Sequence, residues 1–208
     1  MRLKNVKNAK NIIEKGIYYL EDPKKYKGNW NSYFKNNNPI YIEIGMGKGN
    51  FIIKNAIKYP NINFIGIEKF DSVIIRAIQK SNELELNNLV LIRMDADKIE
   101  EIFDNEIDKI YLNFSDPWPK ARHEKRRLTS RVFLEKYDKI FKKDKIIEMK
   151  TDNIDLFNFS LDSLTDYSYK IIYKTNNLND ENNILTEYEE KFRNLNIKIN
   201  KLIAVKKD

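Results

Sequence analysis

Cysteine is absent from this chain of 208 residues, and His123 is its one histidine. Without cysteine the chain has no disulfide bond, no thiol nucleophile and no zinc site built on cysteine. A metal site rich in histidine is excluded in the same way, so we expect no bound metal. These absences remove most nucleophilic and metal-assisted chemistries before any motif is considered.

Long apolar runs are missing as well. No run approaches the roughly 18 residues that span a bilayer, and the basic residues 1–10 are not followed by the apolar segment of a secretory signal. We therefore predict a cytoplasmic protein that does not bind membranes. Hydrophobic residues make up 41% of the chain and charged residues 33%. This profile indicates a single domain over residues 1–208, with a basic helical arm over about residues 1–25.

The charge of the chain is unbalanced. Its 38 lysines and arginines exceed its 31 acids, which gives a net charge of +7. Such a balance favours an anionic partner, most simply nucleic acid. It is also typical of a lysine-rich protein whose cations only cover solvated faces. The clustering of the charges separates these interpretations better than their sum.

Apolar segments of strand length alternate with segments of helical spacing from residue 39 onwards. Strands are predicted at residues 40–44, 62–67, 89–94, 109–114, 145–150, 169–173 and 197–205. Helices are predicted at residues 10–20, 49–59, 72–84, 98–103, 130–141, 154–164 and 187–195, and residues 26–34 look irregular. This alternation predicts an α/β fold with a doubly wound parallel sheet. Ligands of such sheets bind beyond the carboxyl ends of the strands.

A glycine-rich turn, EIGMGKG at residues 43–49, joins the first predicted strand to its helix. Gly45, Gly47 and Gly49 let the backbone approach a ligand closely. A dinucleotide fingerprint requires G-x-G-x-x-G, whereas here asparagine occupies the position of the last glycine. A G-x-G-x-G turn preceded by the acid Glu43 is similar to the cofactor loop of S-adenosylmethionine-dependent methyltransferases. A tight turn without a ligand would have the same glycines.

Acidic residues follow the next two predicted strands. Glu68 lies about 20 residues after the glycine turn, where an acid accepts hydrogen bonds from a ribose diol; it would equally suit a helix N-terminus. Asp95 and Asp97 follow the third strand. One of them would accept from an adenine amino group and the other would cap the next helix, and the spacing does not say which.

The most distinctive stretch is NFSDPWPKARHEKRR at residues 113–127, which begins as the end of a strand. Its two prolines break the strand and hold Asp116 and Trp118 on a stiff turn. Cations follow at once, which is typical of phosphate binding, although a solvated loop has the same composition. An acidic, aromatic turn joined to a cationic tract indicates chemistry on a polyanion.

Two weaker motifs follow later, KTDN at residues 150–153 and TEYE at residues 186–189. The second also fits a capping box, in which Thr186 and Glu189 only satisfy the start of a helix.

Together these motifs make the chain resemble the bacterial tRNA guanine-N7 methyltransferases. NFSDPWPKARHEKRR, MKTDN and TEYEEKF follow IEIGMGKG and GIE in this order, from about residue 26 to the C-terminus. The tract DPWPK-x-RH-x-KRR is specific, and the glycine loop is generic. The resemblance implies a Rossmann-like class I methyltransferase with a seven-stranded, mostly parallel sheet whose last strand is antiparallel. It implies S-adenosylmethionine as cofactor, tRNA as partner and methylation of N7 of guanosine 46 in the variable loop.

The resemblance also implies roles for individual residues. The residues that would line the cofactor are Glu43, Gly45, Gly47, Gly49, Glu68, Asp95 and Asp116, the last being the catalytic residue as well. The residues that would surround the target nucleotide are Lys120, Asp152, Thr186, Glu187, Tyr188 and Glu189. The residues that would contact RNA are Arg122, His123, Lys125, Arg126 and Arg127. Neither the resemblance nor the sequence decides between a monomer and a homodimer.

The expected chemistry agrees with this composition. Guanine N7 carries a free lone pair, so in-line attack by N7 on a sulfonium methyl group requires no strong base. We therefore expect Asp116 to position the base and balance the charge of the product rather than to remove a proton. Trp118 would either stack on a flipped base or pack against the turn.

Three other functions fit parts of the sequence. Methylation of an exocyclic amine would use an acid-Pro-Pro-aromatic turn, but here Trp118 displaces the second proline. A nicotinamide dehydrogenase would need the missing glycine and a proton donor. A non-catalytic RNA-binding module on a decayed methyltransferase fold does not account for intact acids at four strand ends.

Overall fold

A computed structural model describes residues 12–13 and 15–207 of the chain. Seven strands form one sheet in the order β3-β2-β1-β4-β5-β7-β6. They are β1 (Ile40–Ile44), β2 (Asn63–Glu68), β3 (Leu89–Arg93), β4 (Ile107–Asn113), β5 (Phe141–Thr151), β6 (Lys170–Thr175) and β7 (Asn200–Lys206). β1 to β5 pair in parallel, and β7 pairs antiparallel with both β5 and β6. The predicted mostly parallel sheet with its last strand antiparallel is confirmed.

Six α-helices lie within residues 15–207; the first precedes β1 and the other five connect strands. They are α1 (Trp30–Phe34), α2 (Asn50–Lys58), α3 (Asp71–Ser81), α4 (Arg131–Ile140), α5 (Ile154–Asp166) and α6 (Glu187–Asn194). Short 3₁₀ helices lie at Pro23–Tyr26, Ala96–Glu101 and Ala121–Arg126. Most predicted elements are present, with ends moved by a few residues. β5 begins at Phe141 rather than at the predicted residue 145. The prediction started later because residues 142–144 lack an apolar alternation, but Ile107 of β4 pairs with Phe141 across a bulge and extends the strand.

The segment of residues 23–34, predicted to be largely irregular, contains a 3₁₀ helix and α1. Trp30 is fully buried and its indole N–H donates to the carbonyl of Ile102 at 2.8 Å. The carboxylate of Glu106 accepts from the backbone N–H of Gly28 and of Trp30. Partners more than 70 residues away therefore hold a segment whose own spacing is weak.

The predicted helix over residues 10–20 falls partly on residues outside the described part of the chain. Its second half is wrong, because residues 15–18 form turns and Tyr19 makes a parallel bridge to Leu91. The sheet offers this edge pairing to the chain before β1, and backbone pairing there replaces the last helical turn. The basic arm over about residues 1–25 stays a prediction.

Apolar side chains cover both faces of the sheet. One face packs Phe51 and Ile52 of α2 and Ile78 of α3 against strand residues such as Phe64 and Leu91. The other face packs α1, α4 and α5 with large side chains that include Trp30, Tyr137 and Phe157. Each buried isoleucine or phenylalanine contributes about 1.5–3 kcal/mol to folding. Helices on both faces confirm the doubly wound architecture.

No helix among residues 12–13 and 15–207 has the length and apolar character to cross a membrane. The parallel strands β1 to β5 all end at the same edge of the sheet, since they share one direction. This edge is where the sequence motifs meet.

Candidate active site

The glycine loop lies between β1 and α2 and is tied to β2. Gly45 and Gly47 adopt φ angles of 75° and 60°, in the left-handed region that disfavours other residues. A side-chain Cβ built at either position would meet no atom within 4 Å, so the loop faces open space. Gly49 has another role, because a Cβ there would lie 2.7 Å from that of Ala77. Its absence lets α2 and α3 pack closely.

Glu43 lies two residues before this loop and is 2% exposed. The side-chain amide of Asn113 on β4 donates to Glu43 Oε1 at 2.8 Å. Burial raises the pKa of Glu43 to about 8, although the hydrogen bond from Asn113 and the charge of Lys150 act to lower it. The site therefore places, just before the glycine loop, a carboxyl group whose pKa burial holds well above its usual value.

Glu68 ends β2 and binds the loop from the other side. Its Oε2 accepts from the N–H of Gly47 at 3.0 Å, and its Oε1 accepts from the N–H groups of Lys69 and Phe70 at 2.8 and 3.0 Å. Burial raises its pKa against these hydrogen bonds. Glu68 is thus fixed in position by the backbone, and a carboxylate has lone pairs left for a ligand hydroxyl.

Asp95 follows β3, and the structure settles which acid caps the next helix. Asp95 Oδ1 accepts from the N–H of Asp97 at 3.1 Å, at the start of the 3₁₀ helix Ala96–Glu101. Its Oδ2 pairs with Lys69 at 2.5 Å. Burial acts to raise the pKa of Asp95, but the hydrogen bonds from Lys69 and Asp97 hold it below its usual value. Asp97 instead lies 3.5 Å from Lys136.

Asp116 stands on an exposed turn at the end of β4. Phe114 and Trp118, on either side of it, have φ angles of 51° and 42°, which are costly for large residues and so mark a constrained turn. The Asp116 carboxylate makes no hydrogen bond or ion pair with any residue in the described part of the chain. Its charge adds to the burial that raises the pKa of Glu68. The two acids therefore lie close enough for their charges to interact.

Two of the predicted RNA-contacting arginines hold this turn. Arg127 donates from Nε to the carbonyl of Pro117 at 3.1 Å and from Nη2 to that of Trp118 at 3.2 Å. Its guanidinium also lies 4.3 Å from the centre of the Phe159 ring. Arg126 lies over the Trp118 ring at 4.9 Å. Arg127 is thus committed to the backbone of the turn.

Three other predicted cations extend into solvent. Lys120, Arg122 and Lys125 are exposed, and their side chains form no hydrogen bond or ion pair within the described ranges. His123 is half-buried, with its ring edge-on to Trp118 at 5.6 Å. The 3₁₀ helix Ala121–Arg126, absent from the predicted elements, carries this patch. We call Lys120, Arg122 and Lys125 the free cations.

The side chains of the TEYE motif at residues 186–189 also differ in whether they have partners within the protein. Thr186 Oγ1 accepts from the N–H of Glu189 at 3.0 Å and caps α6. The Glu189 carboxylate pairs with Lys150 Nζ and with Arg193 Nη2, each at 3.0 Å. Glu187 pairs with Lys80 at 2.6 Å. The capping half of the box is present, whereas the glutamate is directed into a buried ion pair.

Tyr188 is the member of this motif that reaches the Asp116 turn. It is 53% exposed, and its ring stacks on that of Phe114 with 6.0 Å between centroids. Asp152 is exposed beyond the end of β5. The fold therefore brings the end of β4, the end of β5 and the start of α6 to one rim, next to the glycine loop.

The sequence interpretation missed three residues of this edge as site residues: Asn113, Phe114 and Lys150. Lys150 is 1% exposed, and its ammonium donates to the carbonyl of Ile184 at 2.8 Å as well as pairing with Glu189. The sequence signal for Lys150 was a lysine within a largely apolar predicted strand. In the structure it lies on the same face as Asn113, its partner in the β4–β5 register. Asn113 carried a similar one, as an amide at a buried strand end.

Comparison with known proteins gives consistent matches over most of the chain. A family model described as a putative methyltransferase matches residues 37–202. A tRNA (guanine-N(7)-)-methyltransferase of Lachnoclostridium phytofermentans is 50% identical over an alignment of 209 positions, gaps included, that covers 98% of this chain and 98% of that protein. The protein of the same name from Bacillus subtilis is 49% identical over 185 residues, 87% of each chain.

Solved structures match the fold at low sequence identity. An antibiotic-related methyltransferase has a TM-score of 0.68 and 20% identity, covering 93% of this chain and 98% of its own. A variant of the 16S rRNA (adenine(1408)-N(1))-methyltransferase from Catenulisporales acidiphilia has a TM-score of 0.65 and 13% identity, covering 90% and 94%. These likenesses show the sheet and helix arrangement of a methyltransferase.

Proposed function

We propose a reaction for this chain, which belongs to the family of tRNA (guanine-N(7)-)-methyltransferases. The chain methylates N7 of guanosine at position 46 in the variable loop of tRNA. The methyl donor of the family is S-adenosylmethionine. One observation carries the proposal furthest. The acids Glu43, Glu68 and Asp116 follow or end neighbouring strands beside the glycine loop, close enough for the charge of Glu68 to act on Glu43 and that of Asp116 to act on Glu68. The free cations follow Asp116 on the same segment.

The residues at this edge fit the cofactor. Glu43 Oε2 is buried and lacks a hydrogen-bond partner within the described part of the chain, as expected of an acceptor for a cationic ligand. Gly45 and Gly47 leave open space in front of the loop. Glu68 lies where it would accept from ribose hydroxyls. Asp95, whose carboxylate also caps the next helix, completes the set that would hold the cofactor, and Gly49 supports the loop through the close packing of α2 against α3.

The reaction needs positioning more than acid–base chemistry. When bound, S-adenosylmethionine supplies an activated methyl group. Guanine N7 carries a free lone pair and loses no proton, so the chain has no need of a general base. Asp116 is exposed and has no hydrogen-bond or ion-pair partner within residues 12–13 and 15–207. This suits a carboxylate that accepts from the N1–H and amino group of the base and offsets the charge of the methylated ring.

The tRNA would lie across the rim formed by β4, β5 and α6. Tyr188 and Asp152 are exposed there and would contact the target nucleotide, together with Lys120. The same nucleotide would be surrounded by the other residues of the TEYE motif, Thr186, Glu187 and Glu189. Glu189 would take part indirectly, because its carboxylate is paired with Lys150. The side chains of Arg122, His123, Lys125 and Arg126 would contact phosphates of the tRNA. Arg127, predicted from the sequence to contact RNA as well, would instead hold the Asp116 turn in place through its bonds to Pro117 and Trp118. We place this reaction in the cytoplasm, by a monomer or a homodimer.

The decisive experiment maps the methylated atom. The protein is incubated with labelled S-adenosylmethionine and an unmodified tRNA transcript, and N7-methylguanosine is located by chemical cleavage. Label at N7 of guanosine 46 is expected, with none in a transcript that carries adenosine there. Label on another atom or position would overturn the assignment. Asp116→Asn should lower the rate about 10²-fold, as loss of a positioned charge does, and a rate near wild type would sink the role given to Asp116.

A further inference from the structure

A lysine on α3 joins three elements that surround the candidate site. Lys80 lies in the last turn of α3, and its ammonium donates to Glu187 Oε1 at 2.6 Å and to the carbonyl of Lys48 at 3.3 Å. It also donates to Asn50 Oδ1. These partners lie in the glycine loop, at the start of α2 and at the start of α6. An ammonium group carries three donors and no acceptor, so each donor of Lys80 has a partner in a different element.

Glu187 closes the same contact from the side of α6. Its Oε1 is paired with Lys80, and its Oε2 lies 3.5 Å from Lys48 Nζ. A single carboxylate therefore lies between a cation of α3 and a cation of the glycine loop. The Lys80 and Glu187 side chains are 40% and 27% exposed, and ion pairs of this kind add little to the stability of the fold. What the contact fixes is the position of α6 relative to the loop.

Lys80 reaches the loop from a helix that already touches it. Ala77 and Ile78, in the same turn of α3 or the one before, are fully buried. A Cβ built at Gly49 would lie only 2.7 Å from that of Ala77, so α3 and the end of the loop are packed at van der Waals distance. The ammonium of Lys80 is thus carried by a rigid support.

The start of α6 also contacts the other half of the site. Tyr188 follows Glu187 directly, and its ring stacks on that of Phe114 at 6.0 Å with 20° between the ring planes. Phe114 lies two residues before Asp116 on the constrained turn. Two consecutive residues of α6 therefore connect the glycine loop, through Lys80, with the Asp116 turn.

We propose that Lys80 is a positioning residue that couples the binding of the cofactor to the binding of tRNA. A cofactor in front of the glycine loop favours one position of the Lys48 carbonyl, and Lys80 and Glu187 transmit that position to α6. A tRNA held against Tyr188 favours the same arrangement from the other end. Such coupling is reciprocal, so each ligand raises the affinity of the other by the same factor. The inference rests on the proposed function for the identity of the two ligands.

Titrations with S-adenosylhomocysteine measure this coupling. The compound lacks the transferable methyl group, so its complex with tRNA does not react. Its affinity is measured alone and in the presence of a saturating unmodified tRNA transcript. For the wild-type protein we expect binding about tenfold tighter with tRNA, a factor typical of coupled sites. In Lys80→Met the gain should fall below about twofold, whereas the affinity measured without tRNA should change less than about twofold because the pair is partly solvated.

Lys54→Met is the matched control. Lys54 lies on α2 and pairs with Glu190 of α6 at 2.9 Å, but its ammonium makes no bond to the glycine loop within the described part of the chain. This variant should keep the full gain. Glu187→Gln should lose the gain as Lys80→Met does, and the double variant should lose no more than either single variant, as expected of residues that act through one contact. Glu187→Gln also replaces Lys80→Met if the latter fails to melt cooperatively.

An undiminished gain in folded Lys80→Met, or a wild-type protein whose affinity is the same with and without tRNA, would overturn the proposal. So would an equal loss of the gain in Lys54→Met, because any tie between α2 and α6 would then have the same effect. A weaker affinity without tRNA at an unchanged gain would make Lys80 a purely structural residue. Failure of the wild-type protein to bind either ligand would instead overturn the proposed function.

Discussion

The glycine-loop region and the segment of residues 113–127 differ in the sign and in the burial of their charged side chains. Glu43 and Glu68 are buried and are fixed by an amide and by backbone N–H groups. The free cations of the segment are exposed and unpaired within the described ranges. A small cofactor of constant shape favours a rigid site, whereas a folded RNA that must open locally favours mobile phosphate contacts.

Two charged residues of the exposed motifs are held in place all the same. Arg127 lies in the cationic segment but binds the backbone of the Asp116 turn. Glu189 lies in the TEYE motif but is buried against Lys150, which is next to Asn113 in the sheet register. Arg127 therefore anchors the Asp116 turn and Lys150 anchors the start of α6, and breaking each anchor should have a different effect.

The largest effect is expected on stability, from Lys150→Met. The Lys150 and Glu189 side chains are 1% and 0% exposed. The change leaves the buried carboxylate with Arg193 as its remaining ion-pair partner in the described part of the chain and with a hydrogen bond from the Asn183 amide. We expect a loss of about 3–5 kcal/mol of unfolding free energy, measured by urea denaturation. Lys54→Met is the matched control, because Lys54 pairs with Glu190, the residue next to Glu189 on α6. This pair is solvated, with Lys54 and Glu190 48% and 44% exposed. The control should lose less than about 1 kcal/mol. Similar losses in both variants would show that Lys150 is no anchor.

A smaller effect, confined to catalysis, is expected from Arg127→Gln. Without the two donors of its guanidinium the turn relaxes, and a displacement of about 1 Å at Asp116 can cost about 10² in rate. Single-turnover kinetics should show a lower kcat with little change in KM for tRNA. Arg127→Lys should not restore the rate, because an ammonium lacks the planar fork. A variant with normal kcat and weakened tRNA binding would instead place Arg127 on the RNA.

The smallest effect is expected from Arg122→Gln combined with Lys125→Gln. Both cations are exposed and unpaired within residues 12–13 and 15–207, so folding and kcat at saturating tRNA should not change. The slope of log affinity against log salt should fall by about 0.7–0.9 per cation. Binding titrations between low and high salt measure it, with Arg127→Gln as the comparison whose slope stays constant. A slope equal to that of wild type would remove these side chains from the RNA surface.

Much of the fold could be predicted because it depends on neighbours in the chain. β1 was predicted with both of its ends, since Ile40, Ile42 and Ile44 alternate on one buried face. Gly45 and Gly47 were predicted from their spacing to form a turn where the backbone approaches a ligand closely, and the turn is present with φ angles that glycine tolerates. α1 was missed, because Trp30 is held by Ile102 and Glu106 from a distant loop.

The candidate site shows the same division. Its acids at the ends of β1 to β4 were predicted, since the ends of parallel strands necessarily share one edge. The commitment of Arg127 to the turn was not predicted, because a run of cations gives no sign of which one turns inward. Nor could the sequence show that Glu189 is paired with Lys150, 39 residues away.

The sequence by itself determined the chemistry available to this protein: no thiol, one histidine, a glycine loop with acids at strand ends, and a cationic tract after Asp116. Tertiary structure alone decided which of these groups are free to act. The contact between Glu43 and Asn113 joins residues 70 positions apart, and it exists only because β1 and β4 are neighbours in the sheet. Side-chain type is a local property, whereas burial and pairing depend on which strands and helices the fold brings together.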